Sequence, residues 1–366
     1  MFPILGINTL LLFVVIAIGT LVTLVYFWHK LSSHNFRNVA LRISAIVIIQ
    51  IFTVSSVAIG FNRSGEYYVS WSDLLGIQDQ YSKIALAPAA VSRMTPADIR
   101  SAKSTRGGSL IFHKIIRGGV SGIANQVFVV MPSNLAKEFI NSNSGNVRTD
   151  YQVVELFSGY PGYPATWIKG LGFVQELEKL EKANKIKPTI AIVPAINVIA
   201  GQDTECLNFP GGPQVESWLT TDMQSFAKSF IGIDFRKWGT FGYSTGGWCA
   251  AEIAVQNQDT YTGAVSLAGY FSPIFARGVT HQQQVFLRGE YDLVNKIQSG
   301  AINTRLFAIA STKDRFSFWS TQNFIRAVRP AINITYDEIK NGGHNLGAWK
   351  PYLSPGFIWL SSISSL

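Results

Sequence analysis

The stretch Trp238-Gly-Thr-Phe-Gly-Tyr-Ser-Thr-Gly-Gly-Trp-Cys-Ala-Ala-Glu252 constrains this chain more than any other. Within it, Gly242-Tyr243-Ser244-Thr245-Gly246 has the G-x-S-x-G form of a nucleophile elbow. That turn is so tight that small residues must flank a serine held in a strained conformation with its Oγ exposed. Trp238 to Phe241 is a short apolar approach of strand character, and Trp248-Cys-Ala-Ala-Glu-Ile-Ala254 opens a helix with small residues suited to close packing on a sheet. Strand, turn and helix in that order are the context the motif requires.

Composition enters through the N-terminus. The chain of 366 residues is 47% hydrophobic and only 14% charged, more apolar than an ordinary soluble enzyme. Residues 2–28 and 43–62 carry no charge, and each run is long enough to cross a bilayer as a helix. The first has no basic leader, too long an apolar run for a cleavable signal, and no small-residue cleavage site after it. Between the two runs lie His29, Lys30, His34, Arg37 and Arg42, and short basic loops stay in the cytoplasm. The expectation is a membrane-spanning hairpin over 1–62, with membrane lipid as its partner. A juxtamembrane segment and linker follow over 63–107, aromatic from Glu66 to Leu75 and with a short helix over 96–104. A domain over 108–366 then lies on the extracytoplasmic side. The net charge of +9 comes without a basic run interleaved with aromatics, so nucleic acid is not an expected partner.

Within 108–366, apolar runs over 110–116 and 126–130, separated by glycines, predict a hairpin. Further strands are predicted over 151–157, 189–193, 238–241, 263–267, 305–310 and 332–336. Helices are predicted over 166–183, 222–230 and 318–328 and after the elbow. Short apolar strands alternating with helices give an α/β fold whose sheet is mostly parallel, covered on both faces and opened by antiparallel strands.

A serine nucleophile needs a base and a group to orient it. His29 and His34 fall in the basic loop, His113 within the first strand, and His281 in a Gln-rich stretch without a strand end. His344 lies in Asn341-Gly-Gly-His-Asn-Leu-Gly347, a glycine-flanked loop just after the last strand, where chain order puts the base. The orienting acid belongs between serine and histidine at a strand's carboxyl end, and Asp314 fits, four residues past Ala310. Glu290, Asp292, Asp337 and Glu338 are its rivals. For the oxyanion, Thr245 supplies one backbone N–H. Tyr160 is the first choice for the other, ahead of Gly162, because Pro161 has no N–H. Cys206 and Cys249 are the only cysteines, to be read either as a disulfide, which an outer compartment permits, or as two buried thiols. No metal-site or phosphate-loop pattern occurs.

With these residues in place, the domain resembles the α/β-hydrolase esterase group that includes esterase D-type enzymes and secreted mycolyltransferases. It most resembles membrane-anchored, esterase-like proteins of actinobacteria. The carriers are Ser70-Trp-Ser-Asp-Leu-Leu-Gly76, Gly159-Tyr-Pro-Gly162, Asp203-Thr-Glu-Cys206, Gly242-Tyr-Ser-Thr-Gly-Gly-Trp-Cys249, and Gly342-Gly-His-Asn345 followed by Trp349. The resemblance implies a Ser244–Asp314–His344 triad and acyl transfer or ester hydrolysis outside the cytoplasm, on a small-molecule or lipid ester and without a cofactor. The mycolyltransferases carry a glutamate where this chain has Asp314.

Overall fold

The computed structural model describes residues 3, 4, 6–33, 35–65, 71–74, 91–141, 150–199, 202–232, 238–275, 279–298, 304–327 and 334–364. His34, residues 66–70 and the linker between 75 and 90 lie outside them. The chain divides into an N-terminal unit and a larger sheet-containing unit.

In the first unit, helices Ile7–Tyr26 and Phe36–Gly65 are long and apolar enough to cross a membrane. They turn much of their apolar surface outward, with Val15 65%, Val25 66%, Val54 68% and Val57 69% exposed, and this suits lipid rather than water. Three of their hydroxyls bond one turn back within the helix: Thr20 donates to Ile16 O, Thr23 to Gly19 O and Ser56 to Phe52 O. The second helix starts earlier than the uncharged run, so Arg37 and Arg42 lie on its first turns rather than in a loop.

The larger unit is built on nine strands: β1 Lys103–Ser104, β2 Ser109–Arg117, β3 Ala124–Pro132, β4 Gln152–Phe157, β5 Thr189–Pro194, β6 Trp238–Tyr243, β7 Tyr261–Leu267, β8 Arg305–Ala310 and β9 Ile334–Glu338. Their order is β1-β2-β3-β5-β4-β6-β7-β8-β9. The β1–β2, β2–β3 and β3–β5 pairings are antiparallel, and from β5 to β9 every pair is parallel. This is the α/β-hydrolase fold. β4, β5 and β6 are buried along their whole length, as a sheet covered on both faces requires.

The period-2 alternation of β6 shows how the cover is built. On one face, Gly239 and Phe241 meet the last helix, Leu353–Ile363, where a Cβ on Gly239 would lie 2.9 Å from Leu360 and one on Gly356 2.5 Å from Phe241. On the other, the Thr240 hydroxyl donates to Ala250 O in the helix Thr245–Gln256 at 2.8 Å. β5 and β6 lie on opposite sides of β4, so the strand order reverses there. Such a switch point opens a crevice at the carboxyl ends of the strands.

Several boundaries differ from the sequence expectation. The helix expected over 96–104 stops at Ser101, capped at its start by Thr95 and Asp98, and Lys103–Ser104 pairs with β2 instead. Residues 91–104, assigned to the linker, belong to the packed domain. Met94 is buried and its N–H donates to Phe230 O at 2.6 Å, while Val91, Ile99 and Ala102 pack on the core. The helix expected over 166–183 is a π-helical turn, Thr166–Leu171, and an α-helix, Phe173–Lys182, separated by left-handed Gly172. Helices Ser133–Asn141, His281–Tyr291 and Leu353–Ile363 were not expected.

Candidate active site

β4 and β6, the two strands beside the switch point, each run directly into a serine: Ser158 and Ser244. Ser244 has φ 57° and ψ −128°, a conformation that costs a non-glycine residue of order 1–3 kcal/mol. The surroundings hold it there. Its N–H donates to Leu267 O at 2.9 Å, and its carbonyl accepts from Gly247 N at 2.8 Å as the helix begins. The glycines are sterically required. A Cβ on Gly242 would fall 1.8 Å from Gly246 O, one on Gly246 2.2 Å from Phe157 O, and one on Gly159 2.9 Å from the Ser244 Cβ.

Three loops from the carboxyl edge bring the expected chemical groups into one line. Ser244 Oγ is 2.8 Å from His344 Nε2, and His344 Nδ1 is 2.5 Å from Asp314 Oδ2. The histidine side chain is 43% exposed and the aspartate 9%, so the acid end is buried and the serine end opens to solvent. His344 packs edge-on against Trp349 at 4.8 Å, and Trp349 lies against Tyr243 at 5.2 Å, which limits how the imidazole can turn. Its loop bends at Gly342, φ 109°, whose carbonyl accepts from Ser311 Oγ at 2.7 Å. Asp314 accepts a further bond from Ser317 Oγ at 2.5 Å. Burial alone raises this carboxyl's pKa. The hydrogen bonds from His344 and Ser317, with the attraction of the imidazole, outweigh burial and hold it below the ordinary aspartate value.

Two of the rival acids are engaged elsewhere. Asp292 Oδ1 accepts the N–H of Asn295, and its other oxygen bonds Ser272. Asp337 accepts the N–H of Glu338. His113 meets Gln126 at 3.2 Å and stacks on Phe128 in the antiparallel part of the sheet, and His281 begins a helix.

On the other side of Ser244, Thr245 stands at the N-terminus of its helix, where backbone N–H groups lack intrahelical acceptors and the helix dipole is positive. The loop after β4 is pinned by Ser158 Oγ to Tyr163 O at 2.8 Å and by Asn197 Nδ2 to Gly162 O at 2.5 Å. Gly159 packs against Ser244, and Tyr160 follows it in the same loop. Cys206 and Cys249 form a disulfide with a Cα–Cα distance of 5.7 Å, tying the loop after β5 to the elbow helix. Among the described residues no group of three or more His, Cys, Asp or Glu is placed to hold a metal ion.

Sequence reasoning gave no role to Asp203, Glu205, Tyr270, Ser317 or Asn197. These residues reach the site through loops whose contacts span 35 to 65 residues of sequence, or, for Ser317, through one helical turn beside the acid.

No family model matches the chain. An uncharacterised protein of Corynebacterium glutamicum is 24% identical over 238 residues, which is 60% of this chain and 55% of that protein. Among solved structures, a ferulic acid esterase superposes with a TM-score of 0.58 at 16% identity, over 70% of this chain and 98% of its own. An S-formylglutathione hydrolase from Agrobacterium tumefaciens gives 0.57 at 15%, over 72% and 98%. A fluorophosphonate-binding serine hydrolase of Staphylococcus aureus gives 0.55 at 14%, over 69% and 98%. At such identities the likeness is one of fold: the chain shares the α/β-hydrolase architecture of these esterases.

Proposed function

We propose that this protein is a membrane-anchored serine esterase or acyltransferase that works through an acyl-enzyme. One observation carries the reading: a strained, solvent-facing Ser244 hydrogen-bonded to His344, which is hydrogen-bonded to a buried carboxylate. His344 Nε2 takes the Ser244 proton as Oγ attacks an ester carbonyl, and the same proton then passes to the departing alcohol. Asp314 holds the imidazole in the tautomer with its proton on Nδ1 and stabilises the imidazolium that forms. The N–H groups of Thr245 and Tyr160 receive the oxyanion. Water, or a hydroxyl of a second substrate, releases the acyl group by the reverse sequence of proton movements.

The ester-cleaving activities named for the structurally similar proteins support an ester as substrate, and the two apolar helices support a small-molecule or lipid ester met at a membrane. Lys30 between those helices, with Arg37 and Arg42 on the first turns of the second, supports a catalytic domain on the extracytoplasmic side. The test is acyl turnover by the full chain in detergent on aryl esters of increasing acyl length. A burst of aryl alcohol and an acyl mass increment on the Ser244 peptide are expected, both lost in Ser244→Ala. Added alcohols that divert the acyl group from water would identify a transferase. A folded protein that neither turns over nor acylates would contradict the reading and leave a hydrolase fold used for binding.

A further inference from the structure

The first turn of the elbow helix follows directly on the nucleophile, yet its own sequence holds it weakly. Gly246 and Gly247 stand side by side there, and glycine is the poorest helix former after proline. Close approach requires them: a Cβ on Gly246 would lie 2.2 Å from Phe157 O, and one on Gly247 3.0 Å from the Gly269 Cα. Two bonds to Ser244 O close the turn, from Gly247 N–H at 2.8 Å and Trp248 N–H at 3.2 Å.

Side-chain ties to this part of the helix come from a separate piece of chain, the loop after β5. Thr245 Oγ1 donates to Asp203 Oδ2 at 3.1 Å, Trp248 Nε1 donates to Glu205 O at 2.9 Å, and Cys249 is joined to Cys206 by the disulfide. Thr245, Trp248 and Cys249 are spaced i, i+3 and i+4, so they share one face of the helix. Asp203, Glu205 and Cys206 meet them in the same order along the loop. The loop is held in a shape that permits this. It is left-handed at Glu205, φ 54°, and Cys206, φ 60°, and two such residues in succession persist only where the surroundings over-determine them. Glu205 N–H donates to Asp203 Oδ1 at 2.9 Å, and Tyr270 OH donates to Glu205 Oε2 at 2.8 Å. Asp203 therefore uses both carboxyl oxygens, one on its own loop and one on the residue next to Ser244. The other two ties end a turn further along the helix.

We propose that Asp203 is a positioning residue for the oxyanion side of the site: its carboxyl braces the loop after β5 against the Thr245 hydroxyl and so fixes the direction of the Thr245 N–H. The kinetic consequence rests on the serine-esterase reading, but the brace itself does not. Without the bridge, Thr245 hangs on a turn weakened by two glycines, and its N–H samples directions away from the developing charge. A misaimed donor loses worth in the transition state, while binding of the ground-state ester changes little.

The test compares variants of the full chain in detergent. Asp203→Ala removes the bridge, and Thr245→Val removes the hydroxyl while keeping the backbone N–H. Asp203→Asn keeps both contacts, its oxygen accepting Glu205 N–H and its amide donating to Thr245 Oγ1. The first measurement is amide hydrogen exchange without substrate. The Gly247 and Trp248 amides should exchange about tenfold faster in Asp203→Ala and in Thr245→Val, with β8 unchanged and Asp203→Asn near the wild type. The second is turnover of an activated aryl ester. Asp203→Ala and Thr245→Val should each lower kcat by about 10- to 100-fold with little change in KM, and Asp203→Asn should recover most of the rate. The double variant should be no slower than either single one, because both remove the same contact. Thr245→Val reads that contact from its other end whether or not Asp203→Ala folds. Exchange at the first turn that neither substitution changes would overturn the proposal, as would losses of kcat that multiply in the double variant. A wild type that never turns over would contradict the esterase reading, and the exchange comparison would still decide the brace.

Discussion

Ser244 stands between two acidic sites that meet burial in opposite ways. On one side Asp314 is buried yet held below the ordinary aspartate pKa, because His344 and Ser317 both donate to it and the imidazole can carry the opposite charge. On the other, the partners of Asp203 and Glu205 among the described residues are backbone and hydroxyl donors, and burial raises both carboxyls above their ordinary range. Depth and partners act together: Asp314 is the least deeply buried of the three and the one whose donor can carry a positive charge. A base in the position of His344 needs the fixed negative charge that Asp314 supplies behind it.

The comparison can be broken from either side. The largest effect is expected from Ser244→Gly. Turnover should fall by about 10⁴- to 10⁶-fold, while stability should rise by about 1 kcal/mol as the strained conformation is relieved, readable by chemical denaturation. Asp314→Asn should lower kcat by about 10⁴-fold with the fold intact, since an amide stabilises the wrong imidazole tautomer. Reducing the disulfide unties the acidic loop from the elbow helix across a sequence separation of 43, which is worth about 4 kcal/mol of denatured-state entropy. A denaturation midpoint unmoved by reductant would show that the loop holds without it.

The smallest effects are in the pH dependence of stability. Asp314, with a depressed pKa, stabilises the fold above about pH 4, and that contribution is lost as pH falls through its folded value; Asp314→Asn should flatten the acid limb. Glu181 has the opposite sign. Burial outweighs its bond from Thr189 N–H and raises it from 4.5 to about 7. Stability should therefore decline as pH rises through about 7, and a thermal midpoint for Glu181→Gln that no longer falls between about pH 5 and 8 would bear this out.

The two sides also differed in how far the sequence exposed them. Ser244, Asp314 and His344 each follow a strand and occur in a fixed chain order, so local pattern was enough to find the residues the structure brings together. Asp203 and Glu205 lie in an irregular loop of bends and isolated bridges, and their meaning comes from Thr245 and Tyr270, 42 and 65 residues away. No period or motif encodes such contacts. Asp203-Thr-Glu-Cys206 stood out only through family resemblance. Much of the fold was legible, because buried strands such as β4, β5 and β6 read as short continuous apolar runs. Boundaries set by tertiary packing were not. Met94 joins the core through contact with Phe230, and Gly172 splits a continuous amphipathic pattern.

The most direct test of the account is labelling by a fluorophosphonate, which reacts with a serine only when a neighbouring base has made it nucleophilic. The full chain in detergent would be treated and the adduct located by mass spectrometry, in the wild type and in Ser244→Ala and His344→Ala. Modification confined to Ser244 and absent from both variants is the predicted result. A correctly folded protein that stays unlabelled, or that labels equally without His344, would contradict it.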